Sequence, residues 1–546
     1  MSARAVSDPV DVGRWWAVAA ISLSLLVVSL DLTVLSLALP KIATSMHAST
    51  SDLQWIVDSY SLVIAALILP AGLLGDRFGR KRILIGSLGL FLGCSVWTAY
   101  SAGVGELIAA RALLGVGAAA LFPMAIAVIP VLFAEEERQK AIAVLAAAMF
   151  VSYPLGPILG GFLLDHFWWG SVFLINVPVV AIALPAVIFL LPESRAQRRP
   201  GLDLPGIVIS SAGLTAVTYG FIRASERGWA DAVALGLMAA GALVTAAFVW
   251  WERAATRRAV AAGRGGQPLV DLSLFRLAGF RWGTILMTFV TFSMFGLMFT
   301  VPQFFQEIQG ATPLGSGVRM LPLIGGMLVG LVAGNKLTGA PKRPDGTLGA
   351  PPASAKLVAG AGFGVMAAGL ATGAFTTLSS SADFALLWVT ITGAGLGLAM
   401  PSSMNAAVAR LDAERSASGG ALLQAARQVG GTIGVAVLGT IISNAYASRL
   451  TLAGLPAAAA DTVRSGVAGG VAVADQMHSP ALLGMVRTAF IGGMDVMLWT
   501  CAGIALASAL LAAAFLPRGL RSAPLAAGDG GAAGRGNVPG RGTMRR

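Results

Sequence analysis

Gly72-Leu73-Leu74-Gly75-Asp76-Arg77-Phe78-Gly79-Arg80-Lys81-Arg82 joins two apolar stretches, Trp55 to Leu74 before it and 83–101 after it. Each approaches the roughly 20 residues that cross a hydrocarbon core as a helix. Gly79 permits the tight backbone turn between them, and Arg80 with Lys81 anchors that turn at one membrane surface. Asp76 stands near the carboxyl end of the preceding helix, where the macrodipole disfavours a negative charge, so it needs a basic side chain or the amino end of another helix. Such a contact can form in one conformation and break in another, which makes the turn a gate latch; the plainer reading is a positively charged surface turn.

The same alternation runs outward in both directions. Fourteen apolar stretches are expected to span the membrane, at 15–39, 55–75, 83–101, 105–132, 140–164, 171–191, 204–222, 231–251, 280–301, 316–338, 357–377, 384–405, 420–445 and 486–516. With 56% hydrophobic and 12% charged residues and a mean hydropathy of +0.78, the chain lies outside the range of water-soluble domains. It reads as an all-α membrane protein. The first stretch contains Asp31 and shows no small-residue cleavage pattern after a short apolar region, so it is expected to stay in the chain.

By our count about 29 of the 38 Lys and Arg flank one side, which puts both termini in the cytoplasm by the positive-inside rule. The net charge of +12 is then a topology signal and an attraction to anionic membrane lipid; no nucleic acid is expected. Cys94 and Cys501 sit inside apolar stretches as small hydrophobes. His47, His166 and His478 are too scattered for ligand spacing, so neither metal nor other cofactor is expected. There is no G-x-x-x-x-G-K-[ST] stretch, and Gly360, Gly362 and Gly364 lie within an apolar span. An ATP-driven pump is therefore disfavoured, and a gradient is the expected energy source.

The spans group as six, two and six. This predicts an amino-terminal half over 1–191, a cytoplasmic loop with two inserted helices over 192–252, and a basic linker over 253–279. A second six-helix half follows over 280–516, with a long outer loop at 446–485, and then a disordered basic tail over 517–546. The outer loop permits short helices over the outer mouth, and the Pro/Gly/Ala-rich connection 340–355 reads as a flexible loop.

Among the charges within spans, Asp31, Asp58 and Arg111 are the three that carry candidate chemistry. On the lenient insertion scale an ionised Asp at a helix centre costs about 2.5 to 3.5 kcal/mol, so Asp31 and Asp58 need a purpose, and the default is binding a proton or another cation. Arg111 stays charged and must pair with an acid or lie along water. A nearby guanidinium favours the carboxylate while burial favours the neutral acid, so making and breaking an Arg111 contact is a coupling switch. A fixed buried ion pair between two helices is the alternative. Asp495, Glu307 and Arg319 are read as structural or solvated groups near outer connections.

Gly72 to Lys81 fits G-x-L-x-D-x-x-G-R-K in full, and here the chain resembles the major facilitator superfamily, in particular its 14-helix drug/proton antiporter branch of QacA-like and EmrB-like exporters. Leu30-Asp31-x-Thr33-Val34 with Ala38-Leu39-Pro40, Trp55-Ile56-Val57-Asp58-Ser59-Tyr60, Phe173-Leu174-Ile175-Asn176-Val177-Pro178 and Ala426-Arg427-Gln428-Val429-Gly430-Gly431 are similar to segments of that branch in the same order. Leu107 to Ala119 resembles the motif whose arginine, here Arg111, takes part in proton coupling; Leu114 stands where Gln is usual. Ser152-x-x-x-Gly156-Pro157-x-x-Gly160-Gly161 resembles the motif that marks antiporters, with Ser152 in place of the usual Gly. Pro157 would bend that helix and the glycines would let a neighbour approach, as a dry hinge or as simple close packing.

The resemblance implies a bacterial cytoplasmic-membrane antiporter, a monomer, that exports bulky lipophilic, cationic drugs in exchange for protons. Asp31 and Asp58 would bind proton and cargo, and Arg111 would couple them. Trp55, Tyr60, Phe122, Met149, Tyr153, Phe292 and Met298, with Met294 and Phe295, are candidate pocket residues, since planar cations bind aromatic faces and methionine adapts to shape; the alternative is ordinary helix packing. The abundance of Arg over Lys and of Ala and Gly hints at a GC-rich genome, where dedicated exporters of one antibiotic, giving a producer self-resistance, are the alternative function. A membrane-embedded enzyme would need a compact set of catalytic groups beyond the three charges, and none is apparent.

Overall fold

The computed structural model describes residues 10–133, 135–195, 203–261, 272–338, 353–408, 413–452 and 454–517, and every regular element among them is a helix. The first group is α1 (Val10–Met46), α2 (Thr50–Phe78), α3 (Arg80–Ala99), α4 (Val104–Leu132), α5 (Glu135–His166), α6 (Ser171–Leu174) and α7 (Asn176–Leu190). An inserted hairpin follows, α8 (Leu204–Arg227) and α9 (Ala232–Ala261). The second group is α10 (Ala278–Gln303), α11 (Pro313–Thr338), α12 (Ala355–Gly373), α13 (Ala382–Val408), α14 (Ala413–Ala447), α15 (Ala457–Ser465), α16 (Val467–Gln476) and α17 (Pro480–Phe515).

Thirteen spans among the described residues are long and apolar enough to cross a membrane, with α6 and α7 together making one of them. The fourteenth expected span lies on the 32-residue α5. Connections are short and capped locally. At the α1–α2 turn the Ser49 N–H donates to Asp52 Oδ2 at 2.9 Å and the Asp52 N–H donates to Ser49 Oγ at 3.2 Å. This reciprocal box satisfies two orphan donors and starts the next helix at once.

Each half has its own apolar core. Leu25, Tyr60, Phe91, Leu121 and Val180 belong to the first, and Leu297, Phe363, Trp388, Tyr446 and Met497 to the second. At the end of the bundle that carries the α1–α2 turn, a third cluster joins the halves, with Val34, Leu37 and Ile56 packed in one unit with Phe299 and Val435. The Gln306 amide donates across the same junction to Leu37 O at 3.2 Å. α15 and α16 lie over this end, as short helices in the long outer loop, tied down by Thr50 Oγ1 donating to Ser465 O at 2.7 Å and Tyr446 OH donating to Val463 O at 2.8 Å.

The inserted hairpin packs on both halves. Ser211 Oγ donates to Ala66 O of α2 at 2.8 Å, Tyr219 lies 5.6 Å from Trp55, and Ile68, Phe248 and Ala425 form a small shared cluster. α8 and α9 therefore cover the α2–α14 side of the junction.

Among the boundaries that differ from the sequence reading, α9 runs on to Ala261, past the expected 251 and into the expected linker, and three others have a local cause. The sixth span breaks at Ile175 because Pro178 has no N–H to continue the ladder from Leu174. α10 ends in a π-turn over Phe304–Ile308, just after Pro302. The last helix begins at Pro480 instead of 486, since Ser479 caps it by accepting from the Leu482 N–H at 3.3 Å. The expected linker segment 262–271, most of the connection 340–355 and nearly all of the tail 517–546 lie outside the described residues.

α5 crosses to the second half through small residues. A Cβ on Gly161 would stand 2.6 Å from Leu314 Cα, and one on Gly317 would strike Pro157 O. Gly317→Val should therefore destabilise this closed junction by about 1–3 kcal/mol, the usual scale of overpacking. The check is a Leu37→Cys reporter, buried in this structure, which should react several-fold faster with a water-soluble maleimide when Gly317→Val is added.

Candidate functional site

Asp31 and Arg111 meet in the interior of the first half, each side chain fully buried. Arg111 Nη1 donates to Asp31 Oδ2, and Nε donates to Ile56 O at 3.2 Å. The guanidinium lies 4.3 Å from the Tyr60 ring centre and 5.8 Å from that of Phe173. The charge thus lies within reach of two aromatic quadrupoles. The other Asp31 oxygen accepts from Asn176 Nδ2 at 3.3 Å, and the same amide reaches Ser95 Oγ at 3.2 Å. Five helices contribute: α1, α2, α3, α4 and α7.

Asn176 had only a family likeness in the sequence and no assigned role. It stands at the first residue of α7, where the break at Ile175 turns its side chain inward. Its position just before Pro178 was the available signal, because a helix interrupted in a membrane needs polar side chains to satisfy what it loses.

Asp58 does not join this pair. It is fully buried, and neither carboxyl oxygen has a hydrogen-bond partner among the described residues. On α2 it follows Gln54 by one turn, about 40° around the helix, while Trp55 lies about 60° to its other side. Gln54 lies against Gly439 of α14, and Trp55 packs on Tyr219 of α8. Asp58 therefore lies at the edge of the α14-facing side of α2, between α14 and the inserted hairpin. Ser59 Oγ, Ser61 Oγ and Tyr60 OH nearby are also buried without partners among the described residues. Such orphans are rare in folded interiors.

A cavity of ≈ 100 Å³ lies between the halves, with walls from α1, α2, α4, α10 and α14. Phe122, Met294, Phe295 and Met298 line it. Trp55, Tyr60 and Phe292 are not in its lining: Trp55 packs on Tyr219, Tyr60 lies against Arg111, and the Phe292 backbone lies against Gly434. Neither Asp31 nor Asp58 reaches the lining, which has Ser29, Thr33, Thr291, Gln424, Arg427 and Gln428 as its polar groups. The side chains of Met149, Tyr153 and Asp76 lie outside the described residues.

The turn between α2 and α3 is fastened within its own half. Gly79 has φ +116°, a conformation L side chains rarely adopt, and a Cβ there would stand 2.5 Å from Glu193 Oε1. The Arg80 N–H donates to Ser194 O at 2.9 Å, its Nη1 donates to Ala127 O at 2.8 Å, and Arg82 pairs with Glu193 at 3.4 Å. Gly72 lies on α2 against Pro123 of α4, and Lys81 opens α3 on a partly exposed face. In α5, Gly156 and Gly160 back onto Thr33 and Val34 of α1, while Pro157 and Gly161 face α11. Glu307 O accepts from Arg487 Nε at 3.1 Å, and Arg319 Nη1 donates to Gln309 Oε1 at 2.9 Å, so both belong to the framework of the outer turn. Asp495 is half-buried on α17 and does not line the cavity.

Two helical halves, an inserted pair and a cavity at the junction define a polytopic membrane transporter. The chain belongs to the Major Facilitator Superfamily, whose profile matches residues 21–435. It is 32% identical over 516 residues to the tetracenomycin C resistance and export protein of Streptomyces glaucescens, covering 92% of this chain and 91% of that protein. To the multidrug efflux pump LfrA of Mycolicibacterium smegmatis it is 34% identical over 492 residues, 88% of this chain and 92% of the other. In fold it resembles the crystal structure of a bacterial homologue of the human lysosomal transporter Spinster, with TM-score 0.64 at 17% identity, covering 93% of this chain and 98% of that one.

Removing one partner of a buried ion pair costs about 3–5 kcal/mol, because the other charge is left uncompensated. Arg111→Gln should accordingly lower thermal stability in detergent sharply, and adding Asp31→Asn should recover a large part of the loss. Additive losses in that double-mutant cycle would show the two side chains to be uncoupled.

Proposed function

We propose that the protein is a proton-driven antiporter that exports bulky lipophilic compounds across a bacterial cytoplasmic membrane, with both termini in the cytoplasm. The observation that carries this reading is the Asp58 carboxyl group, buried at the edge of the α2–α14 seam with no hydrogen-bond partner among the described residues. An ionised carboxylate there would have neither counter-charge nor donor, so the neutral acid is the form this closed junction accommodates. Rocking the halves apart admits water along the α2–α14 seam, and the proton can then leave. Asp31 serves the other part of the cycle: it pairs with Arg111 and accepts from Asn176 within one half, and a shift of α1 against α4 would break that pair.

The energetics suit a gradient. Moving one elementary charge is worth about 2.3 kcal/mol per 100 mV. One proton exchanged for one monovalent cation is electrically silent, and two are driven by voltage. The closed seal of α5 on α11 keeps protons from leaking between cycles, the role its glycine-proline motif would have as a dry hinge. The gate role of Gly72, Asp76, Gly79, Arg80 and Lys81 is to hold the α2–α3 turn rigid while the halves rock.

The names of the relatives support drug export, and they include both a multidrug pump and an exporter tied to a single antibiotic. Breadth is the main reading here, since Phe122, Met294, Phe295 and Met298 make an apolar and adaptable wall. A single-antibiotic exporter is the second, favoured by the long match to the tetracenomycin C protein.

In inverted vesicles energised with a proton gradient, the wild type should accumulate ethidium, and Asp58→Asn and Asp31→Asn should each reduce the initial rate at least tenfold. Undiminished proton-driven uptake by both variants would remove the mechanism.

A further inference from the structure

α9 is longer than the bilayer it crosses. Its 30 residues run about 45 Å, against a hydrocarbon core of about 30 Å. The outer end is fixed in place, because Arg223 Nε donates to Asp231 Oδ1 at 3.0 Å immediately before the helix begins at Ala232, and Trp229 stands there 45% exposed. The excess length therefore emerges at the opposite membrane surface, the one that carries the α2–α3 turn. Two tryptophans mark the level of emergence, as indole rings do at a membrane interface. Trp251 Nε1 donates to Asp203 Oδ2 at 2.9 Å and so holds α9 against the N-cap of α8, while Trp250 is 67% exposed.

The two faces of α9 have opposite character. Ala234, Gly241, Phe248 and Glu252 are buried and lie within about 40° of one direction around the helix. Leu235, Leu243, Trp250, Arg253 and Arg257 are exposed and lie on the other side, within about 80° of one another. From the bilayer outward, that exposed face reads leucine, tryptophan, arginine, arginine. Glu252 is turned inward, and the Asp203 carboxylate is engaged by Trp251 and the Gly206 N–H. Neither Arg253 nor Arg257 has a hydrogen bond or an ion pair among the described residues.

Like charges four residues apart on a helix repel. An anion set between the two guanidiniums turns that repulsion into attraction, and a pair of phosphate oxygens matches the guanidinium fork. An apolar stripe leading directly to such a pair selects a phosphate that carries acyl chains over one free in water.

We propose that the Arg253–Arg257 face of α9 binds the phosphodiester of an anionic phospholipid, with an acyl chain lying along Trp250 and Leu243. The site is outside the cavity and does not depend on the exporter reading. Phe248, on the buried face of the same helix, packs in the cluster shared with Ile68 of α2 and Ala425 of α14. A lipid held at the two arginines thus fastens the inserted hairpin over the α2–α14 seam.

The experiment is native mass spectrometry of the purified full-length protein in neutral detergent, titrated separately with dioleoylphosphatidylglycerol and dioleoylphosphatidylcholine. Arg253→Gln combined with Arg257→Gln should weaken the tightest phosphatidylglycerol site about tenfold and leave phosphatidylcholine within about twofold. Lys336→Gln combined with Lys356→Gln removes the same charge from unburied lysines of α11 and α12 at the same membrane surface, and should leave phosphatidylglycerol binding unchanged. Trp250→Ala keeps both arginines and should weaken the lipid about threefold, which decides the matter if the double arginine variant fails to fold. Glycerol 3-phosphate, a phosphate without acyl chains, should not displace the lipid at equal concentration. Equal phosphatidylglycerol affinity in the wild type and the arginine variant, an equal loss in the lysine variant, or displacement by glycerol 3-phosphate overturns the proposal.

Discussion

A guanidinium that cannot lose its proton stands in the middle of a helical bundle, and the first half is arranged around that fact. Arg111 has a carboxylate on one side, a backbone carbonyl on another, and two aromatic rings within reach. Taking two ions from water costs several kcal/mol each, and their attraction offsets this only when the geometry is close and further hydrogen bonds help; Arg111 Nη2 is left without a partner among the described residues. The break that Pro178 imposes at Ile175 serves the same need, since it brings Asn176 to the second oxygen of Asp31 and to Ser95. Five helices are thereby held in register by one polar node in an otherwise apolar interior.

On the proposed reading the two acids divide the work by position. Asp31 is enclosed within a half and paired with Arg111, so a change in that pairing would need movement inside the half. Asp58 lies at the edge of the α14-facing side of α2, so its surroundings would change as the halves separate. The cavity begins beside this seam, between the apolar cluster that joins the halves at one end and the shared cluster under the inserted hairpin. Cargo and proton would then occupy neighbouring but separate places, with coupling through the motion that both require.

Much of the fold was legible because hydropathy is a sum over many residues and tolerates local error. Turns were legible where a single residue type is required, as at Gly79. Asp31, Asp58 and Arg111 stood out because a charge in a span is costly wherever its side chain points. Asn176 did not stand out, since one neutral amide is cheap to bury and its value depends on a helix break that Pro178 imposes from two residues away. Tyr60 and Phe292 show the complementary limit. A helix rotates 100° per residue, so position along the span alone cannot separate a ring facing the junction from one packed against Arg111, as Tyr60 is.

The central claim is that loading of cargo and loss of a proton from a buried carboxyl group are one event. It is tested most directly by adding ethidium to the purified protein in weakly buffered detergent and following the bulk pH with an indicator dye. The account predicts release of about one proton per bound ligand when Asp58 starts as the neutral acid, and no release when Asp58 is replaced by Asn. Saturable ethidium binding with no proton released from the wild type would contradict it.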